Sequence, residues 1–83
     1  MSSRRRYTGP VALRGKRLKF MALDGLIYVG LFDNQVQSSR GLLWRVTFAN
    51  PNAPAALVFP RRCVETTDPL SDIGPLVDDR VRG

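Results

Sequence analysis

The dipeptide Asp24-Gly25 separates two apolar runs, Leu18 to Leu23 and Leu26 to Phe32, and it constrains the fold more than any other feature of this chain. Asp-Gly readily takes the two positive-φ positions of a type I′ turn, whose twist suits a two-residue β-hairpin. Such a turn pairs Leu23 with Leu26, Ala22 with Ile27, Phe20 with Val29 and Leu18 with Leu31. The side chains of the last three pairs are all apolar and share one face, which is therefore expected to be core. The opposite face carries Arg17, Lys19, Met21, Tyr28 and Phe32, with Gly30 beside Lys19. Register is critical, because a slip of one residue would exchange the two faces.

Beyond the hairpin the pattern stays β-like. Asp33 to Gly41 is polar and reads as a loop. A third strand follows, with Leu42, Trp44, Val46 and Phe48 on one side and Leu43, Arg45 and Thr47 on the other. Asn50-Pro51-Asn52-Ala53-Pro54 is a turn, since two prolines interrupt any ladder. Ala55 to Phe59 forms a fourth strand, Pro60-Arg61-Arg62 breaks it, and Cys63 to Thr66 forms a fifth. Five short strands in about fifty residues predict an all-β fold, a small barrel. Residues 1–10 read as a flexible basic arm, 11–67 as the barrel and 68–83 as an irregular tail. Leu70, Ile73, Leu76 and Val77 could dock a turn of that tail on the barrel.

Residue types that are missing narrow the chemistry. The 83-residue chain has one cysteine, Cys63, and no histidine. No intrachain disulfide is possible, and the usual zinc and haem sites and the Cys-His or Ser-His nucleophile pairs are excluded. Neither a P-loop nor a Rossmann glycine pattern occurs. Asp68 with Asp72, and Asp78 with Asp79, lack a rigid shell that could orient them for acid–base work. The expectation is a protein that is not an enzyme and holds no cofactor and no metal. Arg4-Arg5-Arg6 lacks the apolar stretch of a twin-arginine export signal, because Arg14, Lys16, Arg17 and Lys19 follow. No run reaches membrane-spanning length. A cytoplasmic location, or a viral particle assembled in the cytoplasm, suits a chain without disulfides.

Charge is the strongest compositional signal. Residues 1–20 hold seven Lys and Arg and no acid, whereas residues 21–50 hold two of each sign. Residues 51–83 hold four basic and five acidic side chains. The net charge of +6 therefore comes from the first quarter of the chain, a distribution that suits a polyanionic partner.

The segment Val58-Phe59-Pro60-Arg61-Arg62-Cys63-Val64-Glu65 resembles the closing segment of SH3-like barrels. There a strand ends at a proline, a single 3₁₀ turn follows, and the last strand begins. Trp44 precedes Pro60 by a separation similar to that of the SH3 tryptophan. The resemblance covers the central fifty or so residues and implies a five-stranded SH3-like barrel. It also has departures: Cys63 stands where a groove tyrosine would be, and the Ala-Leu-Tyr-Asp-Tyr segment is missing. Asp24 and Asp33 are the only acids before Glu65. These departures argue against a site for proline-rich peptides.

The expected partner is RNA or DNA. Arg4, Arg5, Arg6, Arg14, Lys16, Arg17 and Lys19 would contact phosphates, and Tyr28 and Phe32 would contact bases or sugars. Arg45, Arg61 and Arg62 could extend the basic track, although a surface ion pair of Arg61 or Arg62 with Glu65 is the preferred reading there. Met21, Tyr28 and Phe32 could instead pack beneath a terminal segment or another subunit, leaving Arg17 and Lys19 to reach water. Trp44 and Cys63 read as structural. The alternative function is a protein-binding adaptor or assembly component, including self-association, with no membrane role.

Overall fold

The computed structural model describes residues 11–77. Five strands, β1 (Arg17–Met21), β2 (Ile27–Ser38), β3 (Gly41–Thr47), β4 (Ala56–Val58) and β5 (Cys63–Thr66), form one antiparallel sheet in the order β4-β3-β2-β1-β5. The sheet is barrel-like but not closed, since β4 and β5 do not pair. Single 3₁₀ turns cover Val11–Leu13 and Pro60–Arg62. The second links β4 to β5 directly, the connection expected from the sequence.

The first hairpin departs from the two-residue expectation. Met21 pairs with Ile27, Phe20 with Tyr28, Lys19 with Val29, Leu18 with Gly30 and Arg17 with Leu31. The loop therefore has three residues, Leu23, Asp24 and Gly25. The Gly25 N–H donates to the Ala22 carbonyl at 2.9 Å, the Ala22 N–H donates to the Leu26 carbonyl at 2.9 Å, and Gly25 takes a positive φ, 85°. Asp24 acts through its side chain, with Oδ1 accepting the Leu26 N–H at 2.8 Å. This is the three-residue hairpin in which a turn is followed by one left-handed glycine. It shifts the register by one.

The shift leaves the inward set of β1 intact and inverts that of β2. Leu18, Phe20 and Ala22 are buried as expected. On the same face of β2, however, stand Tyr28, Gly30 and Phe32 in place of Ile27, Val29 and Leu31, with Tyr28 opposite Phe20 and Gly30 opposite Leu18. Phe32 is only 3% exposed, whereas Ile27 is 53% exposed. Packing against β3 favours this arrangement. Phe32 pairs with Val46, and Gly30 leaves the room in which Val46 and Phe48 sit. A Cβ on Gly30 would lie 2.9 Å from the Val46 Cβ and 3.2 Å from the Phe48 Cε1.

The expected loop from Asp33 to Gly41 is strand for most of its length. A β-bulge at Asp33, between the Phe32–Val46 and Asn34–Arg45 pairs, restores the pairing, which runs on to Ser38 and Gly41. There the Ser38 hydroxyl accepts the Arg40 N–H at 3.1 Å and donates to the Gly41 carbonyl at 2.9 Å, and Gly41 has φ 107°. The polar side chains of this stretch belong to a half-wet strand. In β3, Trp44 and Val46 face the core as expected, but Leu43 is fully buried opposite Val36 and Leu42 is partly exposed. The main core gathers Leu18, Phe20, Ala22, Phe32, Val46, Phe48, Ala56 and Val58. Each large side chain in it contributes roughly 1.5–3 kcal/mol through burial.

After β5 the chain has no regular element through residue 77. The Asp68 N–H donates to the Thr66 Oγ1 at 3.1 Å, and the chain turns back over the outer side of β1. Ser71 then bridges β2 and the segment after β3, where those two strands part. Its N–H donates to the Val29 carbonyl at 2.9 Å, its hydroxyl accepts the Val29 N–H at 2.9 Å, and its carbonyl accepts the Ala49 N–H at 2.9 Å. Gly74 rests against the Phe48 ring so closely that a Cβ there would collide with it.

Candidate nucleic-acid interface

Alternation along β1 puts Arg17 and Lys19 on the face opposite Leu18 and Phe20, and Lys16 stands just before the strand. Each of these cations meets a group supplied by β5 or the segment beyond it. The Lys16 Nζ lies 3.7 Å from Glu65 Oε2. The Arg17 Nη1 donates to the Asp68 carbonyl at 2.9 Å and the Thr67 carbonyl at 3.2 Å. The Lys19 Nζ lies 2.6 Å from Asp68 Oδ2. Hydrogen bonding to Lys19, and the charge of that ammonium, hold the Asp68 carboxyl below its usual range. The side chains of both ion pairs are about half exposed, so salt and competing anions reach them.

Tyr28 and Phe32 do not join these cations. The sequence expectation that they project beside Arg17 and Lys19 is corrected by the three-residue loop. Phe32 is sealed in the core, with its ring edge-on to Trp44 at 5.4 Å. Tyr28 is half-buried against the core, stacked on Phe20 at 6.0 Å and edge-on to Phe48 at 6.5 Å. Its hydroxyl donates to Asp24 Oδ2 at 2.7 Å. That bond, followed by the one from the Leu26 N–H, lowers the Asp24 carboxyl from its ordinary range and raises the Tyr28 phenol. The outer face offers Met21, Ile27 and Val64 instead. Met21 pairs with Ile27, and Val64 pairs with Lys19.

The other predicted positions are dispersed. Arg14 is exposed in the turn before β1. Arg45 lies on β3, 3.5 Å from Asp33 Oδ2, so the bulge that resets the register also supplies its acid. The Arg61 guanidinium lies 4.8 Å over the Phe59 ring, and Arg62 is exposed beside it on the 3₁₀ turn. Glu65, expected to pair with one of these arginines, is paired with Lys16. Arg40, which the sequence reading passed over, is an exposed cation at the β2–β3 turn. Arg4, Arg5 and Arg6 lie outside the described residues, as do Asp78 and Asp79.

The remaining candidates have structural surroundings. The Cys63 Sγ donates to the Phe59 carbonyl at 3.7 Å, and the side chain packs against the core. The Trp44 Nε1 is enclosed with no hydrogen-bond acceptor among the described residues. Among the described residues no three His, Cys, Asp or Glu side chains are grouped to hold a metal ion, and no helix is long and apolar enough to cross a membrane. No protein family, curated protein or solved structure matches the chain.

Proposed function

We propose that this chain is a non-enzymatic module of the SH3-like small-barrel kind that binds RNA or DNA through phosphate contacts. The observation that carries the reading is the concentration of seven Lys and Arg, without an acid, in the first twenty residues. Three of them, Lys16, Arg17 and Lys19, follow one another into and along β1 with exposed or half-exposed side chains. With Tyr28 and Phe32 turned inward, neither ring of β2 stands beside these cations as a stacking platform. The binding it supports is sequence-tolerant and steeply salt-dependent, falling by about 0.7–0.9 decades per decade of salt for each phosphate neutralised.

A mobility-shift titration with generic single- and double-stranded oligonucleotides tests this. Complexes with both at micromolar protein and low salt are expected. No complex with either would overturn the reading. One observation favours the alternative of a protein-binding or assembly role: Met21 and Val64 are 51% and 60% exposed on the same sheet face as Ile27. A defined oligomer by light scattering, from a protein that takes up no nucleic acid, is the result that would put that role first.

A further inference from the structure

The segment that follows β5 is held at its two ends by different kinds of bond. Its far end is fixed by main-chain hydrogen bonds and one part-buried hydroxyl: Ser71 binds Val29 and Ala49, and the Asn50 N–H donates to the Asp72 carbonyl at 2.9 Å. Its near end lies on cations. Arg17 takes the Thr67 and Asp68 carbonyls, and Lys19 takes the Asp68 carboxylate, all through exposed or half-exposed side chains. Bonds of the second kind are screened by salt and open to exchange, whereas those of the first are not. Arg17 and Lys19 thus meet three oxygens, the Thr67 and Asp68 carbonyls and the Asp68 carboxylate, and oxygen acceptors for these cations are also what a phosphate offers.

We propose that residues 67–69 are an intramolecular competitor for this phosphate-binding surface, displaced when nucleic acid binds while Ser71 keeps the segment anchored. The inference rests on the nucleic-acid reading above and adds regulation to the same site. In the free protein Arg17 and Lys19 are satisfied by the chain itself. In the complex they exchange the Thr67 and Asp68 oxygens for phosphate oxygens. The near end lifts without unfolding the sheet, because no ladder bond of β1 passes through it.

The test is oligonucleotide binding by fluorescence anisotropy across a salt series, with the wild type, Asp68→Asn, Asp72→Asn and the double variant Lys19→Gln/Asp68→Asn. Asp72→Asn changes the net charge equally, but its carboxylate meets no cation among the described residues. Removing the competitor leaves Lys19 free before binding, so Asp68→Asn is expected to bind about fivefold more tightly at 0.1 M salt, with a log–log slope close to that of the wild type because Lys19 neutralises a phosphate in both complexes. Asp72→Asn should gain little, and Lys19→Gln should erase the gain of Asp68→Asn. Equal gains from the two Asp variants, or none from Asp68→Asn while the wild type binds, would overturn the competitor and leave the binding function standing. No binding by any variant would remove both. A second measurement needs no variant: on adding oligonucleotide to the wild type, the Asp68 amide should shift while the Ser71 and Ala49 amides keep their exchange protection. An unmoved Asp68 in a saturated complex contradicts the proposal.

Discussion

The two faces of the β1–β2 hairpin are built from neighbouring residues and have opposite fates. On the inner face Leu18, Phe20, Ala22 and Phe32 are sealed, Tyr28 is tied to Asp24, and Gly30 admits the side chains of β3. On the outer face Arg17 and Lys19 are bound by the segment after β5, Val29 is buried beside Ser71, and Met21 and Ile27 stand in water. A single loop residue makes the difference. Two residues between the strands would have sent the rings out with the cations, giving a surface that stacks bases. Three residues send them in, leaving the cations of β1 without the rings of β2 beside them. Turn length thus decides the packing and, under the proposed function, the mode of recognition.

The comparison can be broken most forcefully at Phe20 and Ile27, which the two-residue hairpin would have placed together in the core. Phe20→Ala is expected to cost about 3–5 kcal/mol in urea unfolding. Ile27→Ala should change stability by no more than about 0.5 kcal/mol. Comparable losses at both positions would restore the two-residue register. Gly30→Ala comes next. Its Cβ meets Val46 and Phe48, so a loss of about 1–3 kcal/mol is expected from overpacking. On an outward-facing position the same change would be neutral or stabilising.

The outer face can be sharpened with smaller perturbations. Ser71→Ala leaves the Val29 N–H without its acceptor and should cost about 1 kcal/mol. It should also raise amide exchange at Val29 and Ala49 while leaving β4 protected. The smallest effect expected is in acid. Asp24 and Asp68 both have folded-state pKa values below the ordinary range of about 3.9. Their contribution to stability is therefore present above that range and lost as pH falls through the lower folded values. Thermal melts from pH 6 down to pH 2 should show this loss, and Asp24→Asn and Asp68→Asn should each flatten it. An acid limb unchanged by both variants would contradict the assignment of those bonds.

How much of this was legible in the sequence differs from element to element. The inward faces of β1 and of β3 at Trp44 and Val46 follow from alternation alone, since one side of each strand has nothing that needs water. The break after β4 follows from Pro60, and the 3₁₀ turn at Pro60–Arg62 is what the resemblance to SH3-like closing segments implied. The face of β2 does not follow, because Ile27, Val29 and Leu31 are as apolar as Tyr28 and Phe32, so alternation offers two acceptable answers. Asp24-Gly25 fits either loop length, and the choice rests on an Asp24 carboxylate that caps the Leu26 N–H and binds the Tyr28 hydroxyl. Gly30 was the available signal. A glycine inside a strand marks close approach of a neighbour, and here it faces Val46 and Phe48. The strand character of Asn34 to Ser38 was hidden by its polar side chains, and the partners of Arg17 and Lys19 by a separation of about fifty residues along the chain.

The most direct measurement of the central claim is the salt dependence of binding to oligo-dT, oligo-dA and a mixed-sequence duplex at matched length. A charge-only surface predicts linear log–log plots and affinities for the two single strands that agree within about threefold, because phosphate contacts carry no base information. A preference between them of about tenfold or more, surviving at high salt, would require a stacking platform on the bound strand and would contradict the charge-only account.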